Sequence, residues 1–150
     1  MRRRALERLL DRPRGHIGAG IHEHRRRLLD CGGRDWRPAA DLAERAEQWL
    51  VLWLWRLDVS AVVHGDAAGA DRWAARVVQR RRPDILVRPE PAHWERYGDA
   101  AGPIRNAAMI QVARSLGDVA GVLALPGKGG TADMCRRAVA VGLVVERFMV

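Results

Sequence analysis

The chain has 150 residues, 48% of them hydrophobic and 29% charged. That is one domain's worth of chain with enough apolar content for a core, which excludes a disordered tail, a collagen-like repeat and a small disulfide scaffold. The formal net charge of +8 is unevenly placed: residues 1–27 carry nine Arg against Glu7, Asp11 and Glu23, whereas residues 28–150 carry sixteen Arg and one Lys against fifteen acids. The basic character therefore belongs mainly to the N-terminal segment, and the body lacks the charge that a whole-domain nucleic-acid footprint would carry.

Residues 1–27 read as an Arg-rich extension: a short helix over Arg2–Leu10, a break at Pro13–Gly15, then a linker containing His and Gly. His22 and His24 have no Cys or carboxylate partners at ligand spacing, so no metal site is expected there, and no cofactor is implied. No apolar core of a secretory signal precedes the break. The longest apolar run, Trp49–Trp55, has seven residues and is too short to cross a bilayer. Cys31 and Cys135 sit in apolar stretches and read as buried thiols in a reducing, cytoplasmic setting.

Residues 28–150 form the main domain, and its pattern alternates. Leu28–Cys31 is a short apolar strand ended by Gly32-Gly33. Pro38 to Leu57 is a long helix whose Leu42, Ala46, Trp49, Leu50, Trp53 and Leu57 follow helical spacing. Val59–Val63 is a strand, Ala70–Arg82 a helix stopped by Pro83, and Ile85–Val87 a strand. Residues 92–102 read as a loop, Pro103–Leu116 as a helix and Val119–Leu125 as a strand. Thr131–Val141 is a helix and Leu143–Val145 the last strand. Strands alternating with helices predict an α/β fold: a Rossmann-like, doubly wound, mostly parallel five-stranded sheet with helices on both faces.

In such folds ligands bind beyond the carboxyl ends of the strands. Three glycine-containing turns fall there: Gly32-Gly33-Arg34 after the first strand, His64-Gly65 through Gly69-Ala70-Asp71 after the second, and Pro126-Gly127-Lys128-Gly129-Gly130-Thr131 after the fourth. Each leads toward a helix start, where unpaired N–H groups and a partial positive charge favour an anion. Lys128 is the only lysine in the chain and sits inside the third turn. Arg34 and Arg105 are candidate anion clamps, set against the reading of each as an ordinary surface arginine. Asp71 is either a helix cap or a ligand contact. His64 ends a strand at the rim, and Trp94 and Tyr97 are candidates to stack on a base. No Ser/His/Asp or Cys/His arrangement stands out.

These blocks resemble the YspA-like branch of the SLOG superfamily, the Rossmann-like group that also contains the LOG phosphoribohydrolases and DprA. The residues carrying the resemblance are Cys31 to Trp36, His64-Gly65 through Arg72, Ala92 to Gly98 running into Gly102-Pro103-Ile104-Arg105-Asn106, and Pro126-Gly127 through Met134. The resemblance implies a site for a nucleotide or nucleotide-derived phosphorylated ligand, with phosphate on the Gly127–Thr131 loop and Asn106 joining the site. It implies a ligand sensor, often linked to phages or mobile elements. Two alternatives are a LOG-like hydrolase of an N-glycosidic bond and a DprA-like binder of single-stranded nucleic acid through the Arg-rich arm. The chain departs from the LOG pattern at Met134, where those enzymes carry a glutamate. Asp133 is adjacent but turned by about 100° on the helix, which leaves Asp66 or Asp71 as candidate catalytic carboxylates.

The helix over residues 38–57 is apolar nearly all round, so Val51 and Trp55 need a cover off the core stripe. A second copy of the chain is the expected cover, with the chain's own N-terminal helix as the alternative. The partners expected are thus a small phosphorylated molecule and a homodimer mate, with no membrane.

Overall fold

A computed structural model describes residues 26–150. The expected helix at Arg2–Leu10 and the His22/His24 pair lie outside the described residues. Five strands, β1 (Arg26–Cys31), β2 (Val59–His64), β3 (Leu86–Pro89), β4 (Val119–Ala124) and β5 (Val145–Arg147), form one sheet in the order β3-β2-β1-β4-β5. Every neighbouring pair is parallel. The main helices are α1 (Ala40–Arg56), α2 (Ala70–Arg81), α3 (Ala101–Leu116) and α4 (Gly129–Ala140). This is the Rossmann-like α/β architecture expected.

Two apolar layers explain why the sheet is covered twice. Side chains alternate along a strand. Leu28, Val62 and Leu123 pack with Leu50, Leu54 and Val77 of α1 and α2. Leu29, Val63 and Val122 pack with Met109, Ala113 and Met134 of α3 and α4 on the opposite face. The chain winds from β1 outward through β2 to β3, then crosses to β4 on the far side of β1. Right-handed crossovers put helices of the two windings on opposite faces. The strand order reverses between β1 and β4, so their carboxyl ends part and leave a crevice.

Several boundaries move, each for a local reason. β1 starts at Arg26, two residues before the expected domain limit. Arg27 keeps its charge satisfied by donating to Ser60 Oγ at 2.7 Å. Leu54 of α1 is fully buried beside the expected stripe, whereas Trp55 is 64% exposed with Arg82 stacked 4.1 Å from its ring. The segment expected as a loop over 92–102 instead holds a one-turn helix, Trp94–Tyr97, and a 3-10 turn that runs into α3. Residues 94–100 are all exposed, so no apolar periodicity marks them. Pro103 therefore sits in the first turn of α3 as its third residue, where a missing N–H costs nothing. The last strand starts at Val145, not Leu143: Gly142, with φ of +80°, ends α4, and the Leu143 N–H donates to Ala138 O at 2.9 Å. That Schellman-type cap uses the residues expected to open the strand.

Candidate functional site

The three glycine turns meet. Gly33 N–H donates to Pro126 O at 2.8 Å, and Ala70 N–H donates to Gly33 O at 3.0 Å. Arg105 from α3 donates to Gly65 O, which ties the second turn to the opposite helical layer. Side chains are excluded where these segments touch. A Cβ at Gly127 would overlap Thr131 Oγ1, and one at Gly65 would overlap the Arg105 guanidinium. Gly69 needs its φ of +84°, and a Cβ there would overlap the carbonyl oxygens of Gly33 and Arg34.

The turns enclose a cavity of about 720 Å³ at the β1/β4 switch point, within the size range of small-molecule sites. Gly32, Gly33 and Arg34 form one wall and Gly65 and Asp71 another. Arg105 and Asn106 line it from α3, and Pro126 through Thr131 line it from the β4–α4 turn. Trp94 stands at the mouth, with the Arg34 guanidinium 4.5 Å from its ring centroid. Helix α4 starts at this wall with no side chain among the described residues capping its N-terminus. The first-turn N–H groups and the positive end of the helix dipole are thus left to an anion.

Thirteen of the expected site residues line the cavity and three do not. His64 is buried beneath it, its Nδ1 accepting from the Asp66 N–H at 3.0 Å. Burial holds the His64 imidazole below its ordinary value, with the Arg105 and Arg72 charges adding to the effect. Asp66 points outward to Arg72 at 3.3 Å. Gly69 lines a neighbouring hollow instead. Asp66, expected as a candidate catalytic carboxylate, and His64 and Gly69, expected as ligand contacts, therefore do not line the cavity.

Two expected contacts turn out to be braces. Asn106 Nδ2 donates to Gly130 O at 3.1 Å and to Asp133 Oδ2 at 2.9 Å, and its Oδ1 accepts from Arg105 Nε at 3.0 Å. It locks α3 to the first turn of α4. Asp133 also accepts from Arg137 Nε at 2.8 Å, and Met134 is fully buried among α3 and α4. Asp133 lines the cavity, but its carboxylate is engaged by Asn106, Arg137 and Arg136, and Met134 stands where the LOG enzymes carry a glutamate. Lys128 is 90% exposed and 3.9 Å from Asp35, an ion pair worth little in water. It is an exposed cation of the rim, whereas Arg105 is held by Gly65 O and Asn106.

The cavity wall contains a group the sequence reading passed over. Asp30, in β1, is 1% exposed, and neither carboxyl oxygen has a hydrogen-bond partner among the described residues. Burial, and then the charge of Asp71, raise its carboxyl well above the ordinary range. Asp71 is 4% exposed; its Oδ2 accepts from Ala67 N–H at 3.2 Å, and its Oδ1 has no partner among the described residues. Burial pushes it up to about 6, against the lowering effect of the Ala67 N–H, the Arg105 charge and the Gly65 N–H. The signal was in the sequence: an acid interrupts the apolar run of a central parallel strand, a place where carboxylates are rarely found.

Fold and cavity together define a Rossmann-like α/β protein with a switch-point cavity. The chain is 34% identical over 136 residues to the Gene 61 protein of Mycobacterium phage D29, an alignment spanning 82% of this chain and 96% of the phage protein. The chain belongs to the family of that phage protein. No protein-family model matches the chain, and no solved structure matches it. Among the described residues no helix is long and apolar enough to cross a membrane.

Proposed function

We propose that the protein binds a nucleotide or nucleotide-derived phosphorylated small molecule in this cavity and acts as a sensor of the SLOG type. The observation that carries the reading is the convergence of three glycine turns on one cavity beside the uncapped N-terminus of α4. Phosphate takes the Gly129–Thr131 N–H groups, with Lys128 and Arg34 supplying charge. The base lies toward Trp94, whose indole offers a stacking face. Calorimetry against AMP, ADP-ribose and inorganic phosphate tests the reading. Binding that is lost in a folded Gly127→Ala variant supports it, and folded wild-type protein that binds none of the three refutes it.

A hydrolytic version has one observation behind it: the buried Asp71 lines the cavity with Oδ1 unpartnered among the described residues, and burial pushes its carboxyl up to about 6, toward the range useful for proton transfer near neutrality. Release of free base from a bound nucleotide, abolished by Asp71→Asn, marks that version; ligand recovered intact marks the sensor. The exposed Leu52 and Trp55 of α1, 46% and 64% accessible, support pairing of two copies through that helix.

A further inference from the structure

A buried carboxyl with no partner is costly, because its lost hydration is not replaced. Among the described residues Asp30 is such a group, and Asp71 keeps one oxygen unpartnered. Both line the same cavity. Apolar side chains would fill this space at lower cost. An acid placed here is therefore matched to a group that arrives with the ligand.

Three kinds of ligand group satisfy carboxyl oxygens: a metal ion, an amine and a hydroxyl. The Arg105 guanidinium, already charge-coupled to Asp71, disfavours a second positive charge on the same spot. Among the described residues no three metal-ligating side chains gather anywhere. Hydroxyls fit for a further reason. Burial, and then the Asp71 charge, favour the protonated form of Asp30, which can donate, while the unpartnered Asp71 Oδ1 can accept. A hydroxyl both donates and accepts, and it matches the pair whichever carboxyl holds the proton. Asp30 lies three residues before Gly33, at most about 10 Å at roughly 3.3 Å per residue of extended chain, and Gly33 touches the Pro126 turn. Carboxyl pair and phosphate loop are thus within the span of one sugar phosphate.

We propose that Asp30 and Asp71 together take the vicinal 2′- and 3′-hydroxyls of a ribose, so that the cavity selects ribonucleotides over deoxyribonucleotides. This rests on the nucleotide reading of the same cavity. It adds that the sugar, more than the base, is what the floor reads.

The test compares AMP with 2′-deoxy-AMP, and ribose 5-phosphate with 2-deoxyribose 5-phosphate, by calorimetry on the full chain. One charge-assisted hydrogen bond predicts a preference of about 10- to 100-fold for the ribo form in both pairs. Asp30→Val abolishes the preference and raises the thermal midpoint, because it removes an unsatisfied buried acid. Asp71→Asn keeps an acceptor for the Ala67 N–H and reduces the preference without unfolding the chain. Equal affinity for ribo and deoxy forms overturns the assignment while leaving the nucleotide reading intact. A preference seen with AMP but absent from the sugar phosphates moves the carboxyl pair to the base and also overturns it. Failure of all four to bind removes both readings together. A lower thermal midpoint in Asp30→Val shows that Asp30 has partners in the free protein and refutes the premise.

Discussion

Replacing Asp71 by Asn tests the electrostatics of the cavity without any ligand. In the folded protein the Asp71 carboxyl titrates at about 6, against an ordinary value of 3.8. Below about pH 4 it is protonated in both states and contributes no pH dependence. As the pH climbs from about 4 to about 6, the unfolded chain gives up the proton while the folded chain retains it, so folding loses stability. The displacement corresponds to about 3 kcal/mol, fully lost above about pH 6. His64 acts in the opposite sense: its folded value lies below the ordinary 6.5, so it adds stability as the pH rises toward that value. Glu47 and Asp133, both lowered, matter only in more acidic solution. The comparison between wild type and variant cancels these contributions. Asp30 does not cancel, because part of its own rise comes from the Asp71 charge; the neutral amide relieves it and widens the difference. Urea unfolding at constant ionic strength, repeated across this pH interval, reads the result. The wild type should lose about 3 kcal/mol more than Asp71→Asn over the interval. Parallel profiles would refute the assignment of Asp71 as a buried, raised carboxyl.

Three further outcomes follow from the packing. Gly69→Ala forces an L side chain to φ of +84° and into the Gly33 and Arg34 carbonyls, and should cost about 2–4 kcal/mol in chemical denaturation. Leu54→Ala should cost about 2–5 kcal/mol and Leu52→Ala close to nothing, since Leu54 is fully buried and Leu52 is 46% exposed; similar losses would mean that α1 is rotated. Trp55→Glu should convert a paired species to a monomer in sedimentation equilibrium, and a wild-type chain that is already monomeric at tens of micromolar would dismiss pairing through α1.

The fold was legible because its signals are repeated and local. Apolar runs ending in glycine or proline recur along the chain, and alternation of strand and helix admits few topologies. The convergence of the turns followed from topology alone, since all three lie after strands of one parallel sheet. What escaped was of two kinds. Residues 94–100 form helical turns without burying a face, so periodicity had nothing to report. Asp30 was hidden by its neighbours: in Leu28-Leu29-Asp30-Cys31 three apolar residues out of four make the run read as a strand, and the acid passed as noise. Trp55 shows the converse. The sequence marked it as an apolar residue in need of a cover, and the structure supplies part of one in Arg82, whose neighbour Pro83 had stood out only as a helix stop.

The distinction between brace and contact changes what the cavity can recognise. Arg105 stood out in sequence as an anion clamp and Asn106 as a site residue that the resemblance implied, yet both make bracing hydrogen bonds, to Gly65, Gly130 and Asp133. They hold α3 against the turns after β2 and β4, across the gap where the strand order reverses. A backbone cradle needs such braces, because glycine turns contribute no side-chain packing of their own. With the braces set aside, the groups left for a ligand divide by charge. At the rim are backbone N–H donors, Lys128 and Arg34, all suited to an anion. In the wall behind them lies a carboxyl pair that repels one. A wholly anionic ligand would meet that pair unfavourably, and a wholly apolar one would leave it unsatisfied. The arrangement fits a molecule with a charged end and a neutral, hydroxyl-bearing middle.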